Sequence, residues 1–406
     1  MTNVTVQSPT HALGWRMWVP CIGMALCSWL SFVDRITISV LAPTILEDTG
    51  LSAEAFGQIA TMFFVAYTVA NPLWGSLLDR IGLRVGMLLA VAIWTGASVS
   101  HAFVGTFFGF ALARALLGLG EGATFPGGLR TAVESLPATL RARGIATAFA
   151  GGTVGAMVTP VMMVPIAANY GWQSAFYVTG LMGVAWLVIW AFIARPPFLP
   201  AKEHRPGRFT FPNFFEMRLW ALVFSYALPA LAPGPILTFS SIYLNRGLGV
   251  AQEDMALLLL MPPAAWGIGY FVGGWASDRF ATNDPRPVGM FVLLSICSLA
   301  LGFTPVFESV GIAVFLMSWA CFIGGSFQML ALKVGSYSFP REQAAMMSGI
   351  ASGAWSLVNA AVSPQVGRFF DQEAWGAAFW LIAALPSIGI AVWWVLSKYQ
   401  KVAIEA

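Results

Sequence analysis

Charge is what this chain has least of. Only 10% of its 406 residues are Asp, Glu, Lys or Arg, and 58% are hydrophobic. A typical soluble domain is about 25% charged. A chain this poor in charge cannot clothe a water-exposed globule, which excludes the soluble classes. The formal net charge of +3 is too small for a nucleic-acid surface, so no nucleic-acid partner is expected. Histidine is scarce as well. His11, His101 and His204 form no pair at ligand spacing, and no metal site is expected. No Ser or Cys has a base placed beside it, which sets an enzyme aside, and nothing asks for a cofactor. The four cysteines, Cys21, Cys27, Cys297 and Cys321, all fall in apolar runs without paired spacing. That argues against a disulfide framework or a zinc site. No cleavable signal peptide is expected, because "MTNVTVQSPTHALGWR" is polar and the first apolar run is too long for a signal core.

What the chain does have is long apolar sequence. A bilayer core takes about 20 apolar residues per spanning helix, and about twelve such runs follow one another. Their centres lie near residues 28, 67, 93, 119, 152, 183, 232, 266, 298, 324, 355 and 387. Barrel strands would be about half that length and would alternate strictly. The expected fold is therefore an all-α membrane protein, with twelve transmembrane helices in two six-helix bundles embedded in a lipid bilayer. Lys and Arg set the topology. With a cytoplasmic N-terminus and alternating spans, every Lys and Arg except Arg35, Arg114, Arg246 and Arg368 falls at the inner face. Acidic residues such as Glu47, Asp48, Glu253, Asp254 and Asp371 fall in the outer loops. Both termini are expected in the cytoplasm, and the location to be a bacterial inner (plasma) membrane.

The longest polar stretch, "ARPPFLPAKEHRPGRFTFPNFFEMR", covers residues 194–218 and splits the runs six and six. It reads as a cytoplasmic linker between an N-terminal bundle (1–193) and a C-terminal bundle (219–406). The second span ends in "GSLLDR" and the eighth in "GWASDR". Both follow G-x-x-x-D-R. Residues 144–160 are echoed by residues 349–364. Parallel repeats of this kind bind substrate near mid-membrane between the halves. The repeated motif, with Gly75, Asp79, Arg80, Arg84, Asp278 and Arg279, reads as an inner-gate latch. In it, Gly75 would permit close helix approach.

Against this apolar background, "WLSFVDRITISV" (29–40) stands out, because Asp34 and Arg35 lie inside the first span. The fourth span carries Arg114 and Glu121, seven residues apart and so on one helical face. Each such charge costs about 2.5–3.5 kcal/mol at the bilayer centre. Two explanations stand. One is packing alone, with Asp34 bridging to Arg114 or Arg35 to Glu121, a role buried pairs fill poorly. The other is function. Arg stays protonated and offers a fork to a carboxylate. A buried carboxylate can take up a proton near neutral pH. On that reading Asp34 and Glu121 are proton carriers, while Arg35 and Arg114 hold an anion. The matching positions of the second half, near Leu237, Thr238, Ser318 and Gly325, are uncharged. Lys333 reads as an anchor at the inner end. Trp266 and Tyr270 form an i, i+4 pair that reads as packing.

With these residues in hand the chain resembles the major facilitator superfamily over its whole length. "FVDRITISVLAPTI", "LLDRIGLR" and "RALLGLGEGATFPGGLR" resemble the anion:cation symporter family, the last most specifically. That family includes bacterial hexuronate, glucarate and galactonate transporters and animal vesicular glutamate and sialic acid carriers. The resemblance implies proton-coupled symport, here uptake of an organic anion such as a hexuronate or aldonate, by a monomer. It places Asp34 and Glu121 as proton-coupling carboxylates, Arg35 and Tyr67 at substrate, and Arg114 as partner of Glu121. The remaining polar candidates are Asn71, Gln328, Ser352, Ser356 and Asn359. The seventh span ("LAPGPILTFSSIY"), the fifth and the eleventh depart from the sugar-acid pattern. They leave open a less polar carboxylate, aromatic or a small mono- or dicarboxylate. A proton-coupled exporter of the same fold is the other alternative, though its G-x-x-x-G-P fails where Gly155 is followed by Ala156.

Overall fold

The computed structural model describes residues 14–199, 213, 215–282, 284–339 and 344–398, so most of the expected linker lies outside the described residues. No strand occurs among them. The apolar runs become helices because, without water, a backbone must satisfy its own hydrogen bonds. The first span is α1 (Val19–Val40) continued by the short α2 (Ala42–Thr49). The second and third are α3 (Ala53–Ile81) and α4 (Leu83–Ser100). The fourth is broken into α5 (Phe107–Glu121) and α6 (Thr124–Ser135). The fifth and sixth are α7 (Arg141–Tyr170) and α8 (Trp172–Ile193). In the second half the seventh span is broken into α9 (Met217–Tyr226) and α10 (Pro233–Ile242). Then come α11 (Met255–Phe280), α12 (Val288–Ser298) with a 3-10 continuation, α13 (Val310–Ser338), α14 (Ala344–Asp371) and α15 (Trp375–Ser397). Every expected centre falls in or beside one of these helices. Among the described residues, nine helical stretches are each long and apolar enough to cross a membrane. The fourth and seventh spans fall short because they are broken. The eleventh is long but rich in Ser, Gly and Ala.

Turn chemistry sets the ends. Ser52 caps α3 by accepting from the Ala55 N–H at 3.1 Å. Gly82, at φ 85°, stops the same helix in a backbone region closed to most side chains. Glycine also sets helix spacing, as expected for membrane helices. A Cβ on Gly118 would strike the α3 backbone at Phe63, and one on Gly120 would strike α4 at Ala90 and Trp94. Gly151 and Gly155 bring α7 onto α1, and Gly269 brings α11 onto α13. Gly75 does not act this way. A Cβ there would meet only Pro126, at 3.9 Å, so the expected close approach is not made.

Within the first half α1 packs on α7 and α8, and α5 on α3 and α4; in the second, α11 packs on α13 and α9 on α15. The halves meet along α3 with α14, α7 with α11 and α1 with α10. At the acidic end of the molecule this seam is closed. Phe56, Phe239 and Phe370 stack edge-on in sequence, at 6.0 and 5.6 Å, within one apolar cluster drawn from both halves. Gly57 and Gly367 let the α3 and α14 backbones touch. Thr61 donates to the Ala360 carbonyl at 2.7 Å, and Ser241 to the Ser39 carbonyl. The Asp371 carboxylate completes the seam. Its two oxygens accept from the Ala53 and Glu54 N–H groups, both at 2.8 Å, at the positive end of α3. Arg246 pairs with it at 3.3 Å.

At the basic end the ion pairs among the described residues stay within each half. Arg130 binds Asp79 at 2.7 Å and Glu134 at 2.5 Å, and Lys333 binds Asp278 at 3.0 Å. The two halves thus repeat one device: the motif aspartate of the second or eighth span takes a cation from the fourth or tenth. Arg80 and Arg279 are exposed, and Arg84 donates to the Ala191 carbonyl at 3.1 Å. In this conformation these contacts of the expected latch lie inside a half rather than across the seam.

Asp371 is the carboxylate that joins α14 to the start of α3. Asp371→Ala removes a cap worth roughly 1 kcal/mol, about five-fold in population. Spin labels at the exposed positions Glu47 and Gln372 should then show a longer distance distribution than in the parent; an unchanged distribution would mean the apolar cluster alone seals this end.

Candidate functional site

Adjacent residues on a helix point about 100° apart, and α1 uses this to separate its two charges. Ser31, Phe32, Arg35 and Ser39 recur at helical spacing and line a cavity of about 910 Å³ between the halves. Asp34 points elsewhere. It is buried in the first half, where its Oδ1 accepts from Ser98 at 2.6 Å, and Ser98 in turn meets the Thr179 hydroxyl at 2.8 Å. Its Oδ2 has no hydrogen-bond partner.

Glu121 ends α5 and is fully buried. Its Oε2 accepts from Ser31 at 2.8 Å, from Arg35 Nη2 at 2.7 Å and from Arg35 Nε at 3.3 Å. Its Oε1 has no partner. Of the two pairings weighed from sequence, Arg35 with Glu121 is made and Asp34 with Arg114 is not. The expected contact of Arg114 with Glu121 is not made either. Two turns of helix separate their backbones by about 10 Å, too far for a fork. Arg114 Nη2 donates to the Arg35 carbonyl at 3.2 Å instead, and so braces the helix that carries the other arginine.

The Arg35 guanidinium sits in an aromatic box. Its carbon lies 4.9 Å from the Phe32 ring centre, 4.7 Å from Phe63 and 5.1 Å from Tyr67. Phe63 and Tyr67, one turn apart on α3, stack at 5.8 Å. Such contacts favour a cation, more so when desolvated.

The second half supplies the opposite wall. Gln328 lines the cavity, and its Oε1 accepts from Trp266 Nε1 at 3.2 Å. Ser356 lines it too, with its hydroxyl bonded back to the Ser352 carbonyl at 3.2 Å. Asn359 does not. It is buried, donates to the Trp355 carbonyl at 2.8 Å, and packs on Gly234, because the seventh span is too close there for the amide to reach the cavity. Trp266 and Tyr270 are cavity wall rather than packing alone. Phe32, Phe63, Ser31 and Trp355 also lie on the wall, and sequence reasoning passed over them. The signal available for two of them was spacing: Ser31 and Phe63 each stand four residues before a residue already singled out. Arg35 and Arg114 are the charged residues among the described lining, which holds no Asp or Glu.

A two-bundle membrane protein with a central cavity sealed at one end has the architecture of a solute transporter. The model of the Major Facilitator Superfamily matches residues 24–364, and the chain belongs to that family. It is 23% identical to the hexuronate transporter of Escherichia coli K12, over 96% of this chain and 95% of that protein. It is 24% identical to the D-galactonate transporter of Escherichia coli O6:H1, over 93% and 94%. A probable sulfoacetate transporter, SauU, of Cupriavidus necator is 28% identical over 63% and 64%. In fold, a bacterial homolog of the human lysosomal transporter Spinster superposes with a TM-score of 0.78 at 18% identity, covering 93% of this chain and 96% of that one.

Arg35→Lys keeps the charge but loses the fork that could hold a ligand carboxylate and the flat stacking surface. Charged hydrogen bonds contribute about 1.5–3 kcal/mol each, so anion affinity should fall at least roughly ten-fold while the protein still inserts. Calorimetry on the purified variant with glucuronate and other carboxylates checks this; an unchanged Kd would remove Arg35 from the site.

Proposed function

We propose that the protein is a proton-coupled symporter that takes up an organic carboxylate by alternating access. The observation that carries this reading is the pair of arginines on a cavity wall without carboxylates, one of them held by the buried Glu121. By relatedness alone a hexuronate or aldonate comes first, since relatives carry those names.

The cycle follows from the contacts. In the empty cavity Glu121 satisfies Arg35. An arriving carboxylate competes for the same guanidinium. A proton on Glu121 removes its charge, frees Arg35, and leaves a buried cation that an anion can neutralise. Breaking a buried pair without a replacement costs about 3–5 kcal/mol. Proton and anion therefore enter together more readily than either alone. Arg114 steadies Arg35 through its carbonyl and adds a second positive charge. Asp34, set behind α1 on Ser98, is the second proton carrier, and it acts through the helix it shares with Arg35. Tyr67, Gln328 and Ser356 complete the substrate contacts.

The chain works as a monomer in a bacterial inner membrane, with both termini and the linker (194–218) in the cytoplasm. The bundles 1–193 and 219–406 move as units about the cavity. The acidic end faces outward, so the seam closed there by Asp371 makes this an inward-facing state. The basic-end contacts of Asp79 and Asp278 re-form across the halves when the inner side closes.

In proteoliposomes loaded to give an inward proton gradient, concentrative uptake should stop on adding an uncoupler. Glu121→Gln mimics the protonated form. It should still exchange labelled for unlabelled substrate across the membrane, since exchange moves no net proton, but it should lose gradient-driven accumulation. Accumulation at the parent level in that variant would leave the proton to Asp34 alone and make the fourth span structural.

A further inference from the structure

Resting on the organic-carboxylate reading, we infer that the substrate is an aromatic carboxylate, a flat ring bearing one carboxylate, rather than a polyhydroxylated sugar acid. Twelve aromatic side chains line the cavity, drawn from both halves. Nine of them fall into three contacting groups. Phe32 meets Trp266 at 6.0 Å, Trp266 meets Tyr270 at 5.4 Å, and Phe63 stacks on Tyr67. Phe64 meets Trp355 edge-on at 6.0 Å, and Phe125 stacks on Phe149 at 5.2 Å.

Several of the polar groups that a sugar acid would need are turned to other partners. Ser31 donates to Glu121, Thr238 to the Gly234 carbonyl and Ser356 to the Ser352 carbonyl. Both wall tryptophans have their indole N–H taken, Trp266 by Gln328 and Trp355 by the Ala230 carbonyl at 2.8 Å. They therefore present ring faces rather than donors. Asn359, the amide that could have served a hydroxyl, is turned into the α10 contact. A hexuronate or aldonate carries hydroxyls on nearly every carbon. Each hydroxyl desolvated without a partner costs about 1–3 kcal/mol. A planar ring makes the opposite demand, because each well-placed aromatic pair contributes about 0.5–1.5 kcal/mol beyond its buried area. The two arginines lie at the first-half wall, where Phe32, Phe63 and Tyr67 pack on Arg35, and the second half adds five further rings. A ligand matching this has its charge at one end and an apolar, flat body at the other. The tyrosine hydroxyls of Tyr67, Tyr226 and Tyr270 and the Gln328 amide nitrogen leave room for one polar substituent on the ring.

The test is isothermal titration of the purified full chain in detergent with sodium 4-hydroxyphenylacetate, sodium glucuronate, sodium galactonate and the uncharged 4-hydroxybenzyl alcohol. The inference expects 4-hydroxyphenylacetate to bind at least ten-fold more tightly than either sugar acid and than the alcohol. It also expects Trp355→Leu to weaken 4-hydroxyphenylacetate about ten-fold while shifting sugar-acid binding little. Should that variant fail to fold, Phe64→Leu removes the ring that faces Trp355. Tighter binding of glucuronate or galactonate overturns the aromatic inference and leaves the organic-carboxylate reading standing. Equal binding of the alcohol shows an apolar site without anion selection and overturns both. No binding by any carboxylate to folded protein also overturns both.

Discussion

The site turns on one interaction, the ion pair of Arg35 with the buried Glu121. A guanidinium inside an apolar bundle is costly without a counter-charge, and that of Arg35 has a single carboxylate with one oxygen still unpartnered. The pair is held rather than merely present. Ser31 fixes the carboxylate, the Arg114 bond to the Arg35 carbonyl fixes the helix, and three rings fix the guanidinium plane. A buried pair of this kind contributes little net stability compared with apolar packing. On the proposed reading its value lies in being exchangeable, since a ligand carboxylate would take the place of Glu121 once the latter is protonated.

The fold delivers these groups through close helix approach. Gly118 and Gly120 press α5 against α3 and α4, which carries Glu121 toward α1. Gly151 and Gly155 press α7 onto α1 from the other side. The first half is thereby a rigid holder for the charged cluster. The second half brings five of the twelve rings and, among the described lining, no charge. On the proposed reading the first half reads charge and proton, while rings from both halves shape the apolar part of the ligand.

Much of this was legible in the sequence. Twelve apolar runs, the break near residue 194 and the repeated G-x-x-x-D-R located the spans, the halves and the equivalence of Asp79 with Asp278. Of the four intramembrane charges, Arg35 and Arg114 lie on the cavity wall, Glu121 pairs with Arg35, and Asp34 is turned away from the cavity. Periodicity misled where distance along the helix mattered. Arg114 and Glu121 share a face, yet two turns keep them apart, and the contact passes to Arg35 on another helix. Gly75 and Asn359 were assigned by motif and neighbourhood, and the structure gives the first no close neighbour and the second a packing role. The aromatic wall left almost no local signature. Its rings come from separate spans in a chain already rich in Phe and Trp, so only tertiary structure sets them apart from lipid-facing or core residues.

The central claim is that a ligand carboxylate and the Glu121 carboxylate compete for the Arg35 cation, so that a proton on Glu121 favours anion binding. The most direct measurement is the pH of a weakly buffered solution of purified protein as a binding carboxylate salt is added. The account predicts that the solution turns alkaline as binding protonates the protein, and that the change is lost in Glu121→Gln although that variant still binds. Binding without proton uptake in the parent, or equal uptake in Glu121→Gln, would contradict it.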